Sequence, residues 1–172
     1  MSNTAKITLV LGGARSGKSR HAENLIAALP PPWIYVATAE AGDAEMTERI
    51  AAHRARRGAA WRTLEAPRDL AAALKSCAGP VLVDCLTLWL SNLLLAEADV
   101  EAEIVQLEDA LAVLKGPVVL VANEVGSGIV PDHPLGRRFR DLQGLVNQRM
   151  AARADRVVLV VAGLPLALKG VL

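Results

Sequence analysis

The stretch from Gly12 to Ser19, read as Gly-Gly-Ala-Arg-Ser-Gly-Lys-Ser, constrains this chain more than any other. Gly12 and Gly17 have the spacing G-x-x-x-x-G-K-[ST], and Lys18 and Ser19 complete it. An apolar run, 7–11, leads into the loop and a helical pattern, 18–29, leads out of it. Strand, glycine-rich loop and helix in that order make a cradle for phosphate. Glycine reaches backbone angles that other residues avoid, so loop N–H groups come close to phosphate oxygens, and the helix points its positive end at them. The main chain of Gly12, Gly13, Ala14, Arg15, Ser16 and Gly17 forms the cradle. Lys18 brings a mobile positive charge to the β- and γ-phosphates, and the Ser19 hydroxyl is suited to ligate Mg2+. The expected ligand is the triphosphate of ATP or GTP.

The remaining pattern extends that first unit. Short apolar runs at 33–37, 81–85, 118–122 and 157–162 alternate with helical stretches at 43–57, 67–75, 86–115 and 137–153. The runs lack the polar alternation of half-exposed strands, as expected when crossover helices cover both faces of a parallel sheet. The expected class is therefore α/β: a P-loop NTPase, RecA-like, with a mostly parallel central sheet and helices on both faces. A chain of 172 residues holds one such domain, taken as 1–172, and is short for two. Pro30, Pro31 and Pro32 end the first helix, because proline cannot continue the helical ladder. In such sheets ligands gather at the carboxyl ends of the strands.

Bulk properties narrow the partners. With 19 Lys and Arg against 18 Asp and Glu and 3% aromatic residues, nothing in the chain's charge favours nucleic acid or an anionic membrane. The apolar segments 86–96 and 157–168 are interrupted and fall short of the roughly 20 residues a membrane span needs. The run 7–11 passes straight into the glycine loop with no secretory pattern, and Cys77 and Cys85 show neither zinc-like nor redox spacing. A cytoplasmic protein with reduced thiols, Cys85 simply packing, is the expectation.

Three further places bear on chemistry. Val81-Leu82-Val83-Asp84 is a buried strand ending in a carboxylate, as a second Mg2+ contact requires, with a cap on the next helix as the alternative role for Asp84. From Asp43 the pattern is helical, and Met46, Ile50, His53 and Arg57 share a stripe whose apolar members turn it toward the protein body. A neutral imidazole so placed can attack phosphorus and form a labile P–N bond, although a histidine on a helix is more often an ordinary packed or solvated residue. His21 and His133 have no comparable setting and are read as structural. Asn123 and Glu124 close the run 118–122; a role near the second substrate or the metal competes with a plain turn through Gly126 and Gly128.

Taken together, several blocks resemble the bifunctional adenosylcobinamide kinase and adenosylcobinamide-phosphate guanylyltransferase family of cobalamin biosynthesis. They are the cradle from Gly12, Tyr-Val-Ala-Thr-Ala from Tyr35, Glu-Met-Thr-Glu-Arg-Ile-Ala-Ala-His from Glu45 and Trp-Arg-Thr-Leu-Glu from Trp61. Val-Asp-Cys-Leu-Thr from Val83, Asn-Glu-Val-Gly-Ser-Gly-Ile-Val-Pro from Asn123 and Arg-Phe-Arg-Asp from Arg138 complete the set. The resemblance implies two reactions: phosphoryl transfer from ATP or GTP to the aminopropanol hydroxyl of adenosylcobinamide, then transfer of GMP from GTP to the resulting phosphate through a guanylylated histidine. By that match the histidine is His53, and Ala37, Thr38, Ala39, Arg54, Ala55, Arg56, Arg57, Glu65 and Asp84 fall on nucleotide-contacting positions. The arginines suit phosphate neutralisation or a solvated basic face, and Glu65 suits guanine or ribose recognition or an exposed ion pair. Some relatives carry Glu where this chain has Asp84. The resemblance also implies a homo-oligomer, a trimer.

Overall fold

A computed structural model describes residues 6–40 and 58–172. Seven strands form one sheet: β1 (Ile7–Gly12), β2 (Trp33–Ala37), β3 (Trp61–Glu65), β4 (Val81–Asp84), β5 (Val118–Asn123), β6 (Arg156–Val161) and β7 (Leu164–Lys169). Their order is β3-β2-β4-β5-β1-β6-β7. Every neighbouring pair is parallel except the antiparallel β6–β7 pair. β5 therefore lies between the cradle strand β1 and Asp84 at the end of β4.

Two apolar layers hold the sheet. Successive strand residues point to opposite faces, so Val10, Tyr35, Leu82, Val121 and Val160 meet Ala22 and Ile26 of α1 (Lys18–Ala27) on one side. Leu9, Val36, Val83 and Leu120 face α2 (Leu70–Lys75), α3 (Leu86–Leu95), α4 (Val100–Val113) and α5 (Pro134–Arg153) on the other. Each fully buried leucine or valine contributes about 1.5–3 kcal/mol relative to exposure. Trp89, 1% exposed, keeps its indole N–H satisfied at Arg68 O, 2.8 Å away. The result is the mostly parallel α/β P-loop arrangement, with helices on both faces.

Three sequence expectations change. The helical region 86–115 is two helices: Glu97 turns the chain with φ 53°, and the Asp99 carboxylate accepts the Ala102 N–H at 3.1 Å to start α4. The run 81–85 ends as a strand at Asp84, and Cys85 is the cap position of α3, without a side-chain cap bond. Asp84 thus does not cap that helix. β3 and β7, absent from the sequence reading, are the two edges of the sheet. β7 returns from β6 through Ala162 (φ 51°) and Gly163 (φ 80°), the pair of positive angles a two-residue hairpin needs. Among the described residues no helix is long and apolar enough to cross a membrane.

Candidate functional site

The cradle is built as its sequence requires. Arg15 and Gly17 have positive φ, 54° and 94°, and Gly17 starts α1 without a side-chain cap, so the first amide groups of that helix stay available to an anion. Gly12 has no room for a side chain: a Cβ there would lie 2.4 Å from Ser16 Oγ and 2.7 Å from Val160 O. The β6–β7 turn braces the loop, with the Gly163 N–H donating to Ser16 O at 2.8 Å. Lys18 Nζ donates to Gly13 O at 3.0 Å. Ser16 Oγ is buried and has no hydrogen-bond partner among the described residues, a polar atom suited to an incoming phosphate oxygen.

Register places several of the other candidates in two rows along the carboxyl edge, two residues apart. Ala37 stands opposite Glu65 on one side and Asp84 on the other, and Gly12 stands opposite Asn123 and Val160. Strand alternation puts Asp84 on the face of Leu82 and α1, the same face as the cradle. The Tyr35 hydroxyl donates to Asp84 Oδ2 at 2.8 Å and so aims the carboxylate. Thr38 is fully buried; its hydroxyl donates to Cys85 O at 2.7 Å and accepts the Cys85 N–H at 2.8 Å. Asn92 Nδ2 donates to Thr38 O and Pro67 O, tying α3 to the ends of the strands. Sequence reasoning missed Tyr35, Asn92 and Gly163. The Tyr35 signal was its two-residue spacing from Ala37, usable only once β2 is known to lie beside β4.

Electrostatics agree with this placement. Burial pushes the Lys18 ammonium below its ordinary pKa, opposed by Cys85 and Asp84. Burial, with the Asp84 charge adding to it, pushes the Cys85 thiol up to about 11, so at neutral pH the thiol is uncharged. Cys85 packs, as expected, at 7% exposure.

His21 has its pKa lowered by burial and then by Arg156, and its Nε2 is buried without a partner among the described residues. His133 Nδ1 accepts the Leu135 N–H at 3.3 Å at the start of α5, a structural cap. The Glu124 carboxylate accepts the Gly126 N–H at 2.5 Å, closing the turn, and Arg140 Nη2 donates to Gly126 O at 2.6 Å. His53, with Arg54, Ala55, Arg56 and Arg57, lies outside the described residues.

Among the described residues no three His, Cys, Asp or Glu side chains cluster as a dedicated metal cage. A hydroxyl from Ser19 and a carboxylate from Asp84 are hard oxygen donors, the set that fits Mg2+ shared with phosphate oxygens and water.

The chain is similar to proteins of known name over nearly its whole length. It is 53% identical to the bifunctional adenosylcobalamin biosynthesis protein CobP of Pseudomonas aeruginosa, over 94% of this chain and 96% of that protein. It is 44% identical to the corresponding protein CobU of Salmonella typhimurium, over 94% of this chain and 98% of that one. In fold it is similar to the flagellar accessory protein FlaH of Methanocaldococcus jannaschii, with a TM-score of 0.55 over 95% of this chain and 78% of that one at 12% identity. Residues 8–168 match the family described as cobinamide kinase / cobinamide phosphate guanyltransferase, and the chain belongs to that family.

Proposed function

We propose that this chain carries out both reactions of its family from one phosphate cradle, 12–19, within one P-loop domain, 1–172. The observation that carries the reading is the uncapped start of α1, with Lys18 at its first position and the aimed carboxylate of Asp84 on the same face. In the kinase reaction the aminopropanol hydroxyl oxygen of adenosylcobinamide attacks the γ-phosphorus of ATP or GTP, and the bond to the β-γ bridging oxygen breaks to release the diphosphate. The cradle amides and Lys18 hold the phosphates in line and offset their charge. Ser19 and Asp84 would hold Mg2+, Asp84 directly or through water, and the ion adds charge neutralisation between the phosphates. Thr38 acts here by fixing the end of β4, since its hydroxyl is committed to Cys85.

In the second reaction a ring nitrogen of His53 attacks the α-phosphorus of GTP, and pyrophosphate leaves. An oxygen of adenosylcobinamide phosphate then attacks the same phosphorus, the P–N bond breaks, and adenosylcobinamide-GDP forms. Arg54, Arg56 and Arg57 neutralise phosphate charge during the attack, Ala37, Thr38, Ala39 and Ala55 border the nucleotide, and Glu65 reads guanine or ribose. Support comes from the 44–53% identity to bifunctional relatives and from the register that sets Glu65, Ala37 and Asp84 side by side. The same reading makes the enzyme a cytoplasmic homo-oligomer, the trimer that the resemblance implies; Leu164, Leu166 and Leu168, exposed along β7, support a subunit contact.

The test uses GTP labelled at the α- or the γ-phosphorus, followed by denaturation. Acid-labile label retained only from the α-position, and lost in His53→Asn, is the expected result. Equal labelling of the His53→Asn protein removes the histidine assignment.

A further inference from the structure

Asn123 is held more firmly than a turn residue needs. Its N–H donates to Thr87 Oγ1 at 2.8 Å, and its carbonyl accepts from Asn147 Nδ2 at 3.1 Å. Asn147 is in turn fixed by the fully buried Gln143, whose Nε2 donates to Asn147 Oδ1 at 2.9 Å. Polar groups buried between a helix and a sheet are costly unless satisfied, so this chain of contacts spends core space on the position of one strand end. The next residue, Glu124, donates its N–H to Gly12 O at 3.1 Å, and Gly12 stands opposite Asn123 in the register. Asn123 is therefore locked to the first residue of the cradle.

Its side chain is not used by any of this. Asn123 Oδ1 is buried and has no donor among the described residues. Val119 and Val121 face α1, and by alternation Asn123 points the same way, onto the face that holds the cradle and Asp84. Asp84 pairs with Val121, so the Asp84 and Asn123 Cα atoms lie roughly 8 Å apart, two residues along the strand and one strand across. An acceptor flanked by a phosphate cradle and a metal-suited carboxylate calls for a ligand that brings a donor. Phosphate oxygens are acceptors and do not meet that need; a hydroxyl does.

We propose that Asn123 receives the acceptor substrate in the kinase reaction, its carboxamide oxygen taking the hydrogen bond of the attacking hydroxyl. This rests on the reading of the site given above. Asn123 orients the hydroxyl oxygen toward the γ-phosphorus and takes no proton. The O–P bond forms as the bond to the diphosphate breaks, and the hydroxyl proton passes to an oxygen of the transferred phosphoryl group. Guanylylation of histidine involves no hydroxyl nucleophile, so Asn123 serves only one of the two reactions.

The experiment compares Asn123→Leu with the parent enzyme in three assays: steady-state phosphorylation of adenosylcobinamide with ATP, binding of GTP, and acid-labile labelling from α-labelled GTP. The expected result is a fall of roughly 100-fold in kcat for phosphorylation, with GTP affinity and labelling within about twofold of the parent. Asn123→Ala, run in parallel, gives the same split if the leucine variant fails to fold. Loss of all three activities together in a folded variant makes Asn123 a nucleotide or structural residue and overturns the proposal, as does unchanged phosphorylation. If the parent itself takes no label from GTP, the histidine step fails while the phosphorylation result still decides the role of Asn123.

Discussion

Replacing Gly12 by alanine tests the cradle's geometry at its tightest point. The added Cβ would stand 2.4 Å from Ser16 Oγ and 2.7 Å from Val160 O. Ser16 can rotate away. Val160 cannot, because its carbonyl is main chain and Val160 pairs with Gly12 itself in the β1–β6 ladder. The two strands must therefore move apart by about 0.3 Å to reach even the 3.0 Å that real Cβ contacts keep. Overpacking of this kind costs about 1–3 kcal/mol. For 172 residues that is a fall of about 2–12 °C in Tm, at about 2–4 °C per kcal/mol. Because the shift also displaces the loop amides, GTP affinity should fall about tenfold or more. Thermal unfolding followed by circular dichroism, with binding of a fluorescent GTP derivative, measures both. Gly13→Ala is the internal control for stability, since a Cβ at Gly13 meets nothing within 4 Å. A Gly12→Ala protein that melts within about 1 °C of the parent and binds GTP equally well refutes the steric argument.

Two other consequences concern charge. Tyr35→Phe removes the hydroxyl that aims Asp84, and the Mg2+ concentration for half-maximal activity should rise about tenfold, measured by titrating Mg2+ at saturating GTP. An unchanged Mg2+ requirement means that Asp84 needs no such partner. Glu108, buried at 8% exposure, accepts from Arg149 Nε at 3.0 Å and Nη2 at 2.6 Å and lies 3.5 Å from Arg153; hydrogen bonding from Arg149 lowers its pKa. A carboxylate with a depressed folded pKa contributes stability that is present above its unfolded value, about 4.5, and lost as pH falls through the folded value. Glu108→Gln should therefore cost about 1–3 kcal/mol at pH 7 and flatten the loss of stability below pH 4.5, as read from denaturant melts across pH.

How much of this was legible in the sequence follows from where each residue sits. The strands buried on both faces, β1, β2, β4, β5 and β6, announce themselves as unbroken apolar runs because helices cover them on each side. β3 does not: Arg62 and Glu65 are exposed on an edge strand, so Trp61–Glu65 lacks the uniform apolar signature. β7 was hidden by Pro165, which an edge strand tolerates and a central one does not. The break between α3 and α4 carried a local signal, Asp99 followed by Glu101 and Glu103, masked by apolar residues on both sides. At the site, the cradle could be read from spacing alone because its parts are contiguous. The links from Tyr35 to Asp84, from Thr38 to Cys85 and from Asn147 to Asn123 could not, since each joins residues 24 to 49 positions apart and depends on strand order.

If one cradle serves both reactions, Lys18→Ala must slow both. Phosphorylation of adenosylcobinamide and transfer of GMP to its phosphate are measured separately, in the variant and in the parent. Since Lys18 is the cradle's mobile cation for the triphosphate in either reaction, both rates should fall by about 100-fold or more, with the fold retained. Survival of either reaction at the parent rate would place its triphosphate somewhere other than 12–19 and rule out a shared cradle.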